Sequence, residues 1–175
     1  MEEGMASSPP TVFFAHGKES GPWGRKITAL AEVARAAGFQ VESPDYSHTH
    51  DPDERVRQLL ALAPQARSRP LVLVGSSMGG YVSAVAAATI PVDGLFLLAP
   101  ALYLPGYPAQ PHCQARQMTV VHGWNDDIVP VDNGIRLARE HRARLHVLNA
   151  GHDLNETIPW LCACFDRFLG EVQAR

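Results

Sequence analysis

Residues 71–80, LVLVGSSMGG, limit what this chain can fold into more than any other stretch. Residues 71–75 form an apolar, β-branched run of the kind a strand buried on both faces of a parallel sheet requires, and it stops abruptly at serine and small residues. Gly75-Ser76-Ser77-Met78-Gly79 fits G-x-S-x-G, a pattern that holds its serine on a sharp turn between a strand and a helix. Glycines two before and two after the serine are expected because the backbone turns tightly there and larger side chains would strike neighbouring elements. The following YVSAVAAAT is alanine-rich and helix-compatible, and Pro91 closes it.

Strand-like and helix-like segments alternate about six times along the chain. Strands are expected at residues 11–15, 39–43, 71–75, 93–99, 118–121 and 144–148, and helices at 27–37, 53–66, 81–89, 131–141 and 158–172. Gly21-Pro22 offers an earlier start for the first helix, with proline at the first helical position. The alternation predicts a three-layer α/β/α sandwich around a mainly parallel sheet of about six strands. Residues 1–10 read as a polar leader, disordered or draped over the surface, and residues 11–175 as a single domain. Residues 101–117 carry three prolines and are the least regular stretch; they are too short to form a lid domain.

A formal charge of −3, with no block of like charges, gives no electrostatic footprint for nucleic acid or an anionic membrane surface. A small-molecule substrate is the expected partner. Cys113, Cys162 and Cys164 are odd in number and lack zinc-type spacing, so they read as free thiols in a reducing compartment. No apolar run approaches the ~20 residues that span a bilayer, and the first residues lack a signal-peptide core, which predicts a cytoplasmic protein without membrane insertion.

In open α/β sheets ligands bind beyond the carboxyl ends of the strands, and four segments of chemical interest fall there. A serine hydroxyl is a weak nucleophile that needs a base within hydrogen-bond reach, itself oriented by an acid. After Ser77, the loop following the fifth strand supplies two candidate acids, Asp126 and Asp127, and the loop after the sixth strand supplies His152 as base. Gly151 beside it is expected to let the loop bring the ring over Ser77, with Asp153 fixing that loop. An oxyanion hole would take one amide from Met78 and a second from the loop after the first strand, Lys18 first and Glu19 as the alternative. His16 is expected to brace that loop by side-chain hydrogen bonds.

Together these residues resemble the α/β-hydrolase superfamily. The likeness runs from Thr11 to Leu169 and rests on His16-Gly17, the GSSMGG turn, the H-G-x-x-D-x-x-V-P spelling of residues 122–130, and Gly151-His152. That spelling favours Asp126 over Asp127. Within the superfamily the chain is similar to the small lidless esterases, the group of YqiA-like esterases and retinoblastoma-binding serine hydrolases, with the sheet shortened by two antiparallel strands. The resemblance implies hydrolysis of small esters or thioesters through an acyl-serine intermediate, at an open site with modest substrate selectivity; no cofactor or metal is expected. Amide cleavage, acyl transfer and cofactor-free peroxide chemistry on the same residues are the alternatives, and a non-catalytic interaction module is another.

Other residues receive milder readings. Tyr46, His48, His50 and Asp51 form a polar cluster that reads as a solvated loop, with pocket lining as the alternative and no third ligand to make a metal site. Trp23, Tyr103 and Tyr107 are as compatible with packing as with walling a substrate site. Cys113 sits in an irregular loop without a strand-turn-helix to activate it. No dinucleotide fingerprint or phosphate loop follows a strand, so no nucleotide cofactor is expected.

Overall fold

Alternating side chains along buried strands sort the core of this chain into two layers. A computed structural model describes residues 7–174. β1 (Thr11–Ala15), β2 (Gln40–Glu42), β3 (Leu71–Ser76), β4 (Val92–Leu98), β5 (Ala115–Gly123) and β6 (Arg144–Leu148) form one sheet in the order β2-β1-β3-β4-β5-β6. Every neighbouring pair is parallel, with Phe13 opposite Leu73 and Gly75 opposite Leu97 fixing the central register.

Val12 and Phe14, Val72 and Val74, and Phe96 and Leu98 face one side, where α1 (Arg25–Ala36) and α6 (Ile158–Gln173) cover them. Phe13, Leu73, Leu95 and Leu97 face the other, under α2 (Pro52–Ala61), α4 (Met78–Thr89) and α5 (Val131–His141). This is the expected three-layer sandwich. Phe96 meets Phe165 and Phe168 of α6 at centroid distances of 5.0 and 5.2 Å, a cluster in the tilted geometry that aromatic quadrupoles favour.

The chain first adds β2 outside β1, then crosses to the other side of β1 for β3 and proceeds outward to β6. The direction of winding therefore reverses between β1 and β3, and the crevice at their carboxyl ends is where such sheets bind ligands. No helix interrupts residues 99–114 between β4 and β5, so this end of the sheet carries no cap.

Local chemistry shifts several boundaries. The first helix starts at Arg25, not at Gly21-Pro22, because the Pro22 carbonyl accepts from Ser43 Oγ and the Trp23 carbonyl from Thr28 Oγ1. The helix expected over residues 53–66 breaks after Ala61. Ala63 is left-handed (φ 48°), and Pro64, which has no N–H to continue the ladder, opens the short α3 (Pro64–Arg67). β5 begins three residues early because Ala115 pairs with Val92.

The first six residues of the expected leader lie outside the described range. Its last two are not free: the Pro9 carbonyl accepts from Arg69 N and the Pro10 carbonyl from Gln40 N. Among the described residues no helix is long and apolar enough to cross a membrane.

Phe165 is fully buried between the sheet and Phe168, whereas Gly170 on the same helix is exposed, and a Cβ added to it would meet nothing within 4 Å. Urea unfolding of Phe165→Ala is expected to show a loss of about 3–5 kcal/mol. Gly170→Ala should instead gain about 0.5–1 kcal/mol by restricting the unfolded chain.

Candidate active site

Ser77 joins β3 to α4 with φ 56° and ψ −117°, a region that a residue with a Cβ enters only when its surroundings hold it there. They do so through both of its backbone groups. Its N–H donates to the Leu98 carbonyl at 3.0 Å, and its own carbonyl accepts from Gly80 N and Ala101 N, each at 2.9 Å. The flanking glycines are required by contact. A Cβ on Gly75 would lie 2.0 Å from the Gly79 carbonyl oxygen, and one on Gly79 would lie 1.8 Å from that of Ala15. Met78 opens α4, so its amide belongs to the first turn, where no intrahelical acceptor exists.

The loop after β5 presents Asp126 with its side chain wholly buried. Oδ1 accepts from the amides of Ile128 (2.9 Å) and Val129 (2.8 Å), which leaves Oδ2 to face two rings. His152 Nδ1 lies 2.8 Å from Oδ2, and His122 Nε2 lies 3.1 Å from it while also contacting the Val129 carbonyl at 2.9 Å. Gly134 in α5 makes room for the His122 ring, since a Cβ there would sit 2.4 Å from Nδ1. Asp127 is exposed.

On its other edge, His152 Nε2 is 2.9 Å from Ser77 Oγ, so serine, histidine and aspartate form one continuous hydrogen-bonded chain. The histidine loop is tied to the aspartate loop by Asn125 N donating to the Ala150 carbonyl and by Asn125 Nδ2 donating to Asn149 Oδ1. Gly151 has no special part in this approach: its φ is not positive and a Cβ on it would meet nothing within 4 Å. The glycine that the approach requires is Gly123 on β5, whose Cβ would fall 2.2 Å from the Ala150 oxygen. Asp153 does fix the loop, its Oδ1 accepting from Asn155 N and its carbonyl from Lys26 Nζ.

After β1, His16 is fully buried and bonded on both nitrogens. Tyr46 N donates to Nε2 at 2.9 Å, which places the proton on Nδ1, 2.8 Å from the Gly17 carbonyl. His16 thus braces the loop as expected. A cavity of about 550 Å³ opens beside Ser77 and His152, with the Gly17–Lys18–Glu19 backbone on one side and Ile27, Tyr107 and Ile128 as its apolar walls.

A family model for the alpha/beta hydrolase family matches residues 12–164. The chain belongs to that family. A protein of the alpha/beta hydrolase superfamily from Xanthomonas campestris is 32% identical over 94% of this chain and 99% of its own, with a TM-score of 0.84. Two further structures share the fold at lower identity. Est1E from Butyrivibrio proteoclasticus is 18% identical over 99% of this chain and 92% of its own, with a TM-score of 0.83. A serine hydrolase without a lid from Xanthomonas campestris is 23% identical over 99% of this chain and 87% of its own, with a TM-score of 0.72. No curated protein sequence matches the chain.

In this alpha/beta hydrolase the milder readings resolve as follows. Tyr46 is completely buried and Asp51 caps α2 by accepting from Asp53 N, while His48 and His50 are exposed, so the cluster does not line the cavity. Of the three aromatic candidates only Tyr107 reaches the cavity; Trp23 lies half-exposed under Arg35, and Tyr103 stacks on Arg136 and donates to Glu140. Burial pushes the Cys113 thiol up to about 12, which keeps it protonated near neutrality. Among the described residues no three His, Cys, Asp or Glu side chains gather as metal ligands. A wider groove of about 1010 Å³ opens at the other end of the sheet, and its Arg116 is occupied by the Val172 carbonyl.

Sequence reasoning passed over Arg55, the largest fully buried side chain of the hydrolase. The available signal was its place at i+3 in the buried stripe of α2, Pro52, Arg55, Val56 and Leu59, where an arginine must find partners.

Burial holds His16 below the usual histidine range, against the raising effect of the Gly17 carbonyl and with the nearby Arg55 charge adding to the depression. The native state therefore binds its proton less readily than the unfolded chain, so its contribution is present above the unfolded value near pH 6.5 and is lost as pH falls through it. The Tm advantage of wild type over His16→Gln should accordingly narrow between about pH 8 and about pH 5. A gap that stays constant across thermal melts in that range would remove His16 from the acid sensitivity.

Proposed function

We propose that the chain is a serine hydrolase of small carboxylic esters or thioesters, acting through an acyl-serine intermediate. The observation that carries this reading is the hydrogen-bonded chain from Asp126 Oδ2 through His152 to Ser77 Oγ, with the serine facing an open cavity. Ser77 Oγ attacks the acyl carbonyl while His152 Nε2 takes its proton. Asp126 holds the Nδ1 proton and stabilises the imidazolium that forms. The amides of Met78 and Lys18 receive the developing oxyanion, a contribution of about 2.7–4 kcal/mol for each donor.

Collapse of the tetrahedral intermediate then breaks the bond to the leaving alkoxide or thiolate, which takes the proton from His152. Water enters by the same steps, with His152 again as base, and releases the acid. The apolar walls formed by Ile27, Tyr107 and Ile128 suit a modest acyl or aryl group, and the absence of a helix in residues 99–114 leaves the entrance uncovered. Est1E, a structural relative, has been observed with ferulic acid bound, and the lidless Xanthomonas relative is a serine hydrolase; both support the reading.

Wild type should be labelled by a fluorophosphonate and should turn over a p-nitrophenyl ester series, with the best chain length measuring the acyl pocket. Ser77→Ala should abolish labelling and lower kcat by at least about 10⁴-fold. A folded wild type that resists the probe would overturn the nucleophile assignment. Asp126→Asn should keep the fold and lose about 10³–10⁴-fold in kcat, because the histidine then adopts the wrong tautomer. Full activity in that variant would exclude Asp126. Product analysis with added alcohol or peroxide separates hydrolysis from acyl transfer and perhydrolysis.

A further inference from the structure

Arg55 reaches from α2 to the loop after β1 with a completely buried side chain, and among the described residues no carboxylate lies within 4 Å of it. A buried guanidinium without a counterion is unfavourable unless hydrogen bonds replace its hydration. Here they are all backbone carbonyls. Nε donates to Thr49 O at 2.9 Å, Nη1 to Gly17 O at 3.1 Å and His16 O at 3.3 Å, and Nη2 to Lys18 O at 3.3 Å. The planar fork thus collects three consecutive carbonyls of one loop, which a point-charge ammonium on a narrower arm does not match.

The consequence follows from the planarity of the trans peptide, in which C=O and N–H point in opposite directions. With the Gly17 and Lys18 carbonyls turned toward Arg55, the Lys18 and Glu19 amides are turned away from it. Gly17, Lys18 and Glu19 line the cavity at Ser77, and Arg55 lies outside it. Neither of these two amides has an acceptor among the described residues. The His16 Nδ1–H donates to the same Gly17 oxygen and locks the orientation from a second direction.

We propose that Arg55 is a positioning residue: its guanidinium fixes the carbonyls of His16, Gly17 and Lys18 so that the amides on the opposite face of the loop are preset to receive the oxyanion. The proposal rests on the serine-hydrolase reading for its catalytic consequence, and on loop geometry alone for its physical content. It predicts that Arg55 acts on the transition state and leaves ground-state binding intact.

The test uses Arg55→Lys, which keeps the charge, and Arg55→Gln, which keeps two N–H donors, each checked for native circular dichroism. Kinetics on p-nitrophenyl acetate are combined with amide hydrogen exchange of the loop at residues 14–24. Arg55→Lys is expected to lose about 10²-fold in kcat with KM within about threefold, the pattern of an interaction made only in the transition state, while exchange in the loop accelerates. If Arg55→Lys does not fold, Arg55→Gln is read by the same criteria. A folded variant with kcat within about threefold of wild type, or with unchanged loop exchange, overturns the proposal. If wild type shows no Ser77-dependent turnover, the hydrolase reading fails separately, and loop exchange alone decides whether Arg55 sets the backbone.

Discussion

The approach of the β3–α4 turn to the end of β1 is the constraint on which the functional end of this molecule depends. Two backbones meet where Gly79 passes the Ala15 carbonyl, at a separation that leaves no room for even one carbon. That proximity puts Ser77 at the point where the sheet's winding reverses and sets it facing the loop that β1 feeds. The unusual φ of Ser77 lies in the same turn. It is held by hydrogen bonds to Leu98 and Ala101 at the end of β4, so the strain in the turn is supported by the neighbouring strand as well as by the turn itself.

Around this point two groups have their hydrogen bonds directed by the backbone. Asp126 divides its carboxylate between two amides on one oxygen and two imidazoles on the other. Holding the first oxygen to the backbone fixes the plane of the carboxylate and so the edge it offers to His152. The loop after β1 is treated alike, with its carbonyls drawn toward Arg55 and His16. In each case preorganisation comes from a buried charged or polar side chain bonded to the backbone, where leaving a partner unmade is costly.

Much of this was legible in the sequence because it is written in local pattern. Leu71 to Val74 read as a buried strand, and the spacing of glycines around Ser77 matches the close approach at Ala15. The sixfold alternation gave the layers, and chain order with the H-G-x-x-D spelling pointed to Asp126. The misses share a different cause. The break at Ala63 needed the competition between a continuing helical stripe and Pro64 to be decided, and propensity alone did not decide it. The true crowding glycine of the histidine loop, Gly123, lies 28 residues from Gly151, and Arg55 is 37 residues from the Lys18 carbonyl it binds. Contacts between segments so far apart leave no periodicity to read; only the incongruity of an arginine on an apolar helix face remains.

The uncapped stretch between β4 and β5 has a consequence for how such a molecule can change. Its two ends are anchored, Ala101 to the Ser77 carbonyl and Gln114 to the Ala87 carbonyl, while its middle is tethered by Ala109 to the Tyr81 hydroxyl. Because the entropy of closing a loop grows only with the logarithm of its length, residues added near Gly106 would cost roughly 0.6 kcal/mol for each doubling. New covering structure can therefore be acquired beside Tyr107 without altering the strands, which makes this segment the place where descendants of the fold can diversify in what they admit.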